Sequence, residues 1–197
     1  MSDHLLLKQL ASATAFILTF AAFYPYIRGI LKGTVKPHVF SWFIWGAGTF
    51  VVFLAQLSDG AGLGGWPVGL SGVITVCVAA LAWQRATDRS IVPIDWLFLG
   101  LALSALPFWY FTQTPLAAVL ILTLVDMLGF GPTMRKGYHF PYEENVSLFA
   151  ISIVRNGFIL LALEHYSWTT VLFPAAVGTA CIIFVGMLVW RRQAVSV

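Results

Sequence analysis

The chain contains the stretch KGTVKP at residues 32–37 and a related stretch, KGYHFP, at residues 136–141. Lys, Gly and Pro recur at the same spacing, and the two stretches lie 104 residues apart. Two further pairs follow in the same order at an offset of 107 residues: Trp66–Pro67 with Phe173–Pro174, and LAWQR ending at Arg85 with LVWRR ending at Arg192. This common order predicts that the chain contains a duplicated unit.

The composition places the repeat in a membrane. Of the 197 residues, 59% are hydrophobic and 10% are charged, and the mean hydropathy is +0.87. A soluble domain carries about 25% charged residues, so this chain has too few to cover an aqueous surface. Both cysteines, Cys77 and Cys181, lie within apolar runs and are interpreted as small core residues. We therefore expect an integral membrane protein.

The apolar runs and the charges between them predict a topology. A membrane-spanning helix needs about 20 apolar residues. Lys and Arg are concentrated in the first, third and fifth connections and in the C-terminal tail, whereas the second, fourth and sixth connections contain none. The positive-inside rule then places the N-terminus outside and the C-terminus inside. The seven predicted spans are 9–30, 40–57, 66–84, 94–111, 115–134, 146–163 and 168–190.

Spans and repeat together predict the fold class. We expect an all-α membrane protein with two parallel three-helix repeats joined by one linker helix, a 3+1+3 plan. The first repeat covers residues 1–90, the linker helix 91–112 and the second repeat 113–197. Because three spans are odd in number, the linker is needed to give both repeats the same orientation. Parallel repeats are common in transporters, whose site lies between the repeats near the membrane midplane.

This plan resembles the SWEET sugar facilitators and the wider PQ-loop group, and also the Pnu-type vitamin transporters. The PQ dipeptide of that group is replaced here by Pro25–Tyr26 and Pro132–Thr133. The stretch SWFIW at residues 41–45 resembles the WxxW motif of the Pnu group. The resemblance implies transport of a small polar metabolite by alternating access. The first half lacks the Asn residues of sugar carriers, so a vitamin-like or nucleoside-like solute is favoured over a sugar.

Two charged residues, Asp126 and Arg155, lie within predicted spans. Counted from the nearest span ends, they lie about 13 Å and about 12 Å from the inner face. A charge facing lipid at the bilayer centre costs about 2.5–3.5 kcal/mol, so both are expected to face the bundle interior, where they could pair. Asn156 follows Arg155. The alternatives are a structural pair and a binding site, with Arg155 for an anion and Asp126 for a cation or a coupling proton.

Other candidate site residues lie towards the predicted inner face. Trp42, Trp45 and Thr49 on the second span are candidate binding residues, although tryptophans near span ends also form the ordinary aromatic belt. Pro25 and Pro132 are expected to kink their helices, as hinges of a gate or as static bends. Tyr24 and Tyr26 flank Pro25 and are candidate gate residues. Further polar candidates, which could equally bond their own helix backbone, are Gln56, Ser71 and Thr75.

The sequence offers no motif of a hydrolase, a nucleotide-binding enzyme or a zinc protease, so we expect a protein that is not an enzyme. The last span lacks the Lys that a retinal protein requires, and no cofactor is expected. The spacing of His139, Glu143 and Glu144 matches no standard metal site.

The expected partners are the lipid bilayer, a small-molecule solute and, in a homo-oligomer, a second copy of the chain; nucleic acid is not among them. The expected location is a bacterial inner membrane. The alternative function is a non-transporting accessory or lipid-handling protein, in which Asp126 and Arg155 form a structural pair.

Overall fold

A computed structural model describes residues 2–34, 39–85, 93–139, 141–142 and 146–195. This part of the chain contains seven α-helices, one short 3-10 turn at Gly62–Gly64 and no strand. Four of its helices are long and apolar enough to cross a membrane, and three further apolar helices are shorter. Such helices are consistent with an integral membrane protein. The α-helices are α1 (Ser2–Leu31), α2 (Val39–Ser58), α3 (Trp66–Gln84), α4 (Pro93–Thr112), α5 (Pro115–His139), α6 (Val146–Ala162) and α7 (Trp168–Val195).

The helix bounds follow the apolar runs closely in the middle of the chain. Helix α3 has the predicted limits, and the limits of α2, α4 and α6 differ from them by one residue. Helix α1 begins earlier than predicted, at Ser2, and α5 and α7 continue to His139 and Val195. Each extension contains polar and charged residues, which can continue a helix outside the hydrocarbon core.

The two KG stretches differ in structure. In the first stretch, Gly33 has a positive φ of 74° and ends α1. The Thr34 N–H donates to the Gly29 carbonyl at 2.9 Å, the bond of a Schellman cap. In the second stretch, Gly137 lies within α5, and a Cβ atom added there would lie 2.7 Å from Phe184 of α7. Residues 35–38, with Lys36 and Pro37, lie outside the described residues.

Two helices, α3 and α7, each pack mainly against two other helices of the bundle. Helix α3 packs against both α1 and α2, and α7 packs against both α5 and α6. Helix α1 also packs against α6, at what we call the α1–α6 seam, and α2 packs against α5, at the α2–α5 seam. The α1–α6 seam is the more extensive of the two. Helix α4 packs mainly on α5, on the outside of this arrangement.

Small residues allow α2 and α3 to approach closely. A Cβ atom on Gly46 would lie 2.7 Å from the Val76 nitrogen, and one on Gly72 would lie 2.9 Å from the Phe50 nitrogen. Glycines at such positions let two membrane helices gain van der Waals contact along their backbones. The helix pair is thereby a firm support for side chains on the opposite face of α2.

Basic residues collect at one end of the bundle, which we call the basic end. Arg191 donates from Nε to the Tyr138 carbonyl at 2.9 Å, and Arg192 donates from Nε to the Pro141 carbonyl at 3.0 Å. These bonds attach the C-terminus of α7 to the end of α5 and the connection that follows it. The described basic side chains at this end are Arg28, Lys32, Arg85, Arg191 and Arg192.

The opposite end, which we call the acidic end, joins the connection after α2 to the connection after α6. The Leu63 N–H donates to Glu164 Oε1 at 3.0 Å. The Ser167 hydroxyl donates to the Asp59 carboxylate, and His165 Nδ1 lies 2.8 Å from the Asp59 carbonyl oxygen. These contacts tie the two connections together across the end of the bundle.

Candidate functional site

Four predicted polar or aromatic candidates lie along one face of α2. Trp42, Trp45, Thr49 and Gln56 are spaced by three, four and seven residues, the spacing of a single helix face. Helix α3 packs against a neighbouring face of α2, where its backbone lies against Gly46. The face with the four candidates turns towards α5 and α7 at Trp45, Thr49 and Gln56, and Trp42 contacts α1.

At the α2–α5 seam this face borders a small cavity, which we call the Asp126 cavity. Its volume is about 10 Å³, close to the space that one water molecule occupies. Asp126 and Thr49 contribute the polar groups of its wall, and Trp45 contributes an indole ring. The lining residues are Ile44, Trp45, Gly48, Thr49, Leu122, Val125, Asp126 and Phe173.

Asp126 has no counter-charge in this wall. Among the described residues, its carboxylate forms neither a hydrogen bond nor an ion pair within bonding distance. The other lining side chains are uncharged. A carboxylate in such surroundings is costly, and natural proteins retain one there mainly for binding or proton transfer.

Arg155 does not pair with Asp126, so the possible pair between them is not formed. It is 8% exposed and lies at the α1–α6 seam. Its Nε donates to the Thr19 hydroxyl at 2.8 Å, and its Nη2 donates to the Pro67 carbonyl at 3.0 Å. One guanidinium thus joins α6 to α1 and α3, and we call this group of bonds the Arg155 clamp.

Cys181 on α7 lies between the two charged groups. It is buried and within electrostatic range of both Asp126 and Arg155. Both charges thus lie within range of one buried group, although they do not touch. The bonds of the Arg155 clamp satisfy the guanidinium at the α1–α6 seam. At the α2–α5 seam, Asp126 has no such partner among the described residues.

Aromatic rings cover the cavity on the side of the basic end. Tyr26 of α1 stacks on Trp42 of α2 with ring centroids 4.7 Å apart, and Trp42 meets Trp45 edge-to-face at 6.1 Å. Trp45 in turn lies against α5, because a Cβ atom on Gly129 would be 2.7 Å from its Nε1. These three rings, the Tyr26–Trp42–Trp45 cluster, bridge α1, α2 and α5 and separate the cavity from the basic end.

On the side of the acidic end, Gln56 connects α2 to α7. Its side chain is fully buried, and Nε2 donates to the Thr170 carbonyl at 2.9 Å. Its Oε1 is buried without a hydrogen-bond partner among the described residues. The Thr170 hydroxyl donates onward to the His165 carbonyl at 2.8 Å. The interior thus ends in the polar network of the acidic end.

The remaining predicted site residues lie away from the cavity. Asn156 is buried and donates from Nδ2 to the Ser152 carbonyl at 2.8 Å, within its own helix. Tyr24 is 64% exposed, and Arg28 approaches its hydroxyl at 3.5 Å, so it does not join the aromatic cluster. Pro25 lies inside α1 and is exposed. Pro132 lies within α5, and its side chain is outside the described residues.

Two functionally placed threonines were missed by the sequence interpretation. Thr19 accepts the bond from Arg155, and Thr123 lies buried on α5 with a hydroxyl that has no partner in the described chain. They are 104 residues apart, the same offset as the two KG stretches. That shared offset is a signal from which both could have been identified.

A larger groove of about 500 Å³ lies between α5 and α7 on the outer surface of the bundle. Its lining is almost entirely apolar, with Met127, Phe130 and Ile183 among its residues. No charged residue lines it. This groove has the character of a lipid-facing surface and is separate from the polar interior.

Comparison of the chain with protein-family models, with curated proteins and with solved structures finds no match in any of the three. The resemblance to the PQ-loop and Pnu-type groups therefore remains a sequence-based expectation. What the chain does has to follow from the charge, shape and packing of its interior.

Proposed function

We propose that this protein is a membrane transporter or facilitator for a small polar metabolite, with the Asp126 cavity as its binding site. The observation that carries the proposal is a carboxylate without a counter-charge in the wall of a small cavity between α2 and α5. Aromatic rings lie on one side of the cavity, and a hydrogen-bond network lies on the other. A cavity covered on both sides is the arrangement expected of an occluded state in alternating access.

The helix packing supports the 3+1+3 plan as part of the proposal. In each proposed three-helix repeat the third helix lies between the other two, so that α3 and α7 occupy equivalent places. In this plan α5 is the counterpart of α1, and α6 is the counterpart of α2. The counterpart of the α1–α6 contact is then the α2–α5 contact, which is the other seam. Helix α4 then serves as the linker that gives both repeats the same orientation.

Orientation and location are proposed from charge and architecture. The basic end is proposed to face the cytosol, with the N-terminus outside and the C-terminus inside. The proposed location is a bacterial inner membrane, because integral proteins of the bacterial outer membrane are mainly β-barrels. Helical spans satisfy all backbone hydrogen bonds internally and suit an inner membrane.

In the proposed mechanism the α2–α5 seam opens and the α1–α6 seam holds. Opening towards the basic end requires Trp45 and Trp42 to move away from α5 and Tyr26. Opening towards the acidic end requires Gln56 to release the Thr170 carbonyl. The solute is proposed to bind Asp126 and Thr49 between these two movements.

The test is solute uptake into liposomes that contain the purified full-length protein. The panel consists of sugars, nucleosides, vitamins and amino acids of positive, negative and neutral charge. We expect saturable uptake of at least one of them, and a loss of about tenfold or more in Asp126→Asn, because the replacement keeps the shape and removes the charge. Asp3→Asn, which removes an exposed acid near the N-terminus, is the matched control and should retain uptake.

A wild-type protein that is folded and moves no member of the panel would overturn the proposal. That result would favour the lipid-handling alternative, to which the apolar groove between α5 and α7 gives its own support. The structural Asp126–Arg155 pair, which was part of that alternative, does not form, because Arg155 bonds to Thr19 and Pro67.

A further inference from the structure

We infer that the solute bound at the Asp126 cavity is an organic cation, recognised by the Asp126 carboxylate together with the indole ring of Trp45. This inference rests on the proposed function and names the chemical class of its substrate. It follows from the charge balance of the interior, from the donor groups of the cavity wall and from the placement of the aromatic rings.

The charge balance requires a positive partner. The buried Arg155 uses Nε and Nη2 for Thr19 and Pro67 and does not contact Asp126. The other described basic side chains lie at the ends of the bundle. An uncompensated carboxylate inside a membrane protein is strongly unfavourable, so a cation that enters the cavity gains the interaction that the protein itself does not supply.

The donor set excludes a metal ion as the natural occupant. The side chains of the wall offer oxygen atoms only from Asp126 and Thr49, and the other lining side chains are apolar or aromatic. Ca²⁺ and Mg²⁺ require six or more oxygen ligands, which this wall does not provide. An ammonium or N-alkylated heteroaromatic cation needs one carboxylate and an apolar or aromatic surround, and both are present.

The aromatic rings supply the second half of the recognition. Trp45 lines the cavity, and Trp42 meets it edge-to-face at 6.1 Å. Indole is the aromatic group that attracts cations most strongly through its ring face. The cavity, at about 10 Å³, is smaller than any organic cation, so binding requires the α2–α5 seam to part and the Trp45 ring to turn.

The experiment compares cations with neutral molecules of the same shape. Purified full-length protein is heated in detergent with choline or N-methylpyridinium, and separately with 3,3-dimethylbutan-1-ol or toluene, their neutral counterparts. A ligand that binds only the folded state raises the Tm. We expect the cations to raise it and the neutral counterparts to leave it unchanged. Asp126→Asn should weaken apparent cation binding about tenfold or more, and Asp3→Asn should not.

Trp45 is tested with a graded pair of variants. Trp45→Phe keeps a weaker aromatic face and should retain part of the cation-induced Tm shift, whereas Trp45→Leu should lose more of it. Equal shifts with cations and their neutral counterparts, or an unchanged cation shift in Asp126→Asn, would overturn the inference. If no cation raises the Tm but the Tm depends on pH only when Asp126 is present, the carboxylate binds a proton and the inference is again overturned.

The uptake panel separates this inference from the proposed function. Uptake restricted to neutral or anionic solutes would support the proposed transport function and reject the inference that the solute is a cation. Absence of all uptake would remove both. Uptake of cations that depends on Asp126 would support both.

Discussion

The α1–α6 and α2–α5 seams satisfy their polar groups in different ways. At the α1–α6 seam, Arg155 donates to Thr19 and Pro67, and the packing is extensive. At the α2–α5 seam, Asp126 and the Thr123 hydroxyl lack partners in the described chain, and a cavity remains. In the proposed mechanism, the first seam is therefore suited to holding the bundle together and the second to opening.

The proposed difference between the two seams is tested most directly by cross-linking each seam in turn with a disulfide. The background is a chain in which Cys77 and Cys181 are replaced by Ser. In it, Gly48→Cys and Leu122→Cys place two thiols across the α2–α5 seam. A Cβ atom on Gly48 would lie 3.3 Å from the Leu122 side chain. Oxidation should nearly abolish uptake into liposomes, and reductant should restore it, because the cross-link prevents this seam from parting.

The matched lock crosses the other seam. Ala15 and Ile159 are fully buried in one core cluster, each four residues from a member of the Thr19–Arg155 bond. With Ala15→Cys and Ile159→Cys oxidised, uptake should continue at nearly the rate of the reduced protein. Loss of uptake with this lock and not with the first would reverse the assignment of the two seams.

A smaller effect is expected from the two corresponding threonines. Thr19→Val leaves Nε of the buried Arg155 without its acceptor and should lower the free energy of unfolding by about 2 kcal/mol. Thr123→Val removes a buried hydroxyl that has no partner and should raise it by about 1 kcal/mol. Reversible unfolding in mixed detergent micelles measures both. Equal changes in the two variants would contradict the difference between the seams.

The smallest expected effect concerns two glycines of α5. Gly129→Ala forces the Trp45 ring aside, and the overpacking cost of about 2 kcal/mol exceeds the gain of about 1 kcal/mol in helix propensity. We therefore expect a net loss of about 1 kcal/mol in unfolding free energy. Gly131 has nothing within 4 Å of the added Cβ, so Gly131→Ala should raise it by about 1 kcal/mol. The same unfolding measurement distinguishes the two, and a stabilised Gly129→Ala would show that Trp45 is not held against α5.

Hydropathy predicted the helices well because it depends on local composition. The limits of α3 were predicted, and the burial of Arg155 followed from the cost of exposing charge to lipid. The extension of α5 through Lys136–His139 was not predicted, and there Gly137 packs closely on Phe184 from another part of the chain. Local sequence contains no record of that contact.

The sequence left open whether Arg155 pairs with Asp126, for a related reason. Asp126 and Arg155 lie on consecutive spans at similar depth, and opposite charges at such positions suggest a pair. In the structure α7 packs against both α5 and α6, so Cys181 lies between them, and the long guanidinium side chain reaches Thr19 on α1. Neighbouring helices in the bundle need not be consecutive along the chain. In the sequence, only the predicted repeat gives information on which helices are neighbours.

The position of Cys181 has a practical consequence. Its thiol is buried on α7 between Asp126 and Arg155, whereas Cys77 is exposed on α3. In the proposed mechanism, a charged, water-soluble alkylating reagent reaches Cys181 only when water enters the interior. The alkylation rate of Cys181, measured with reagent on one side of the membrane at a time, would then report how often the interior opens to each side.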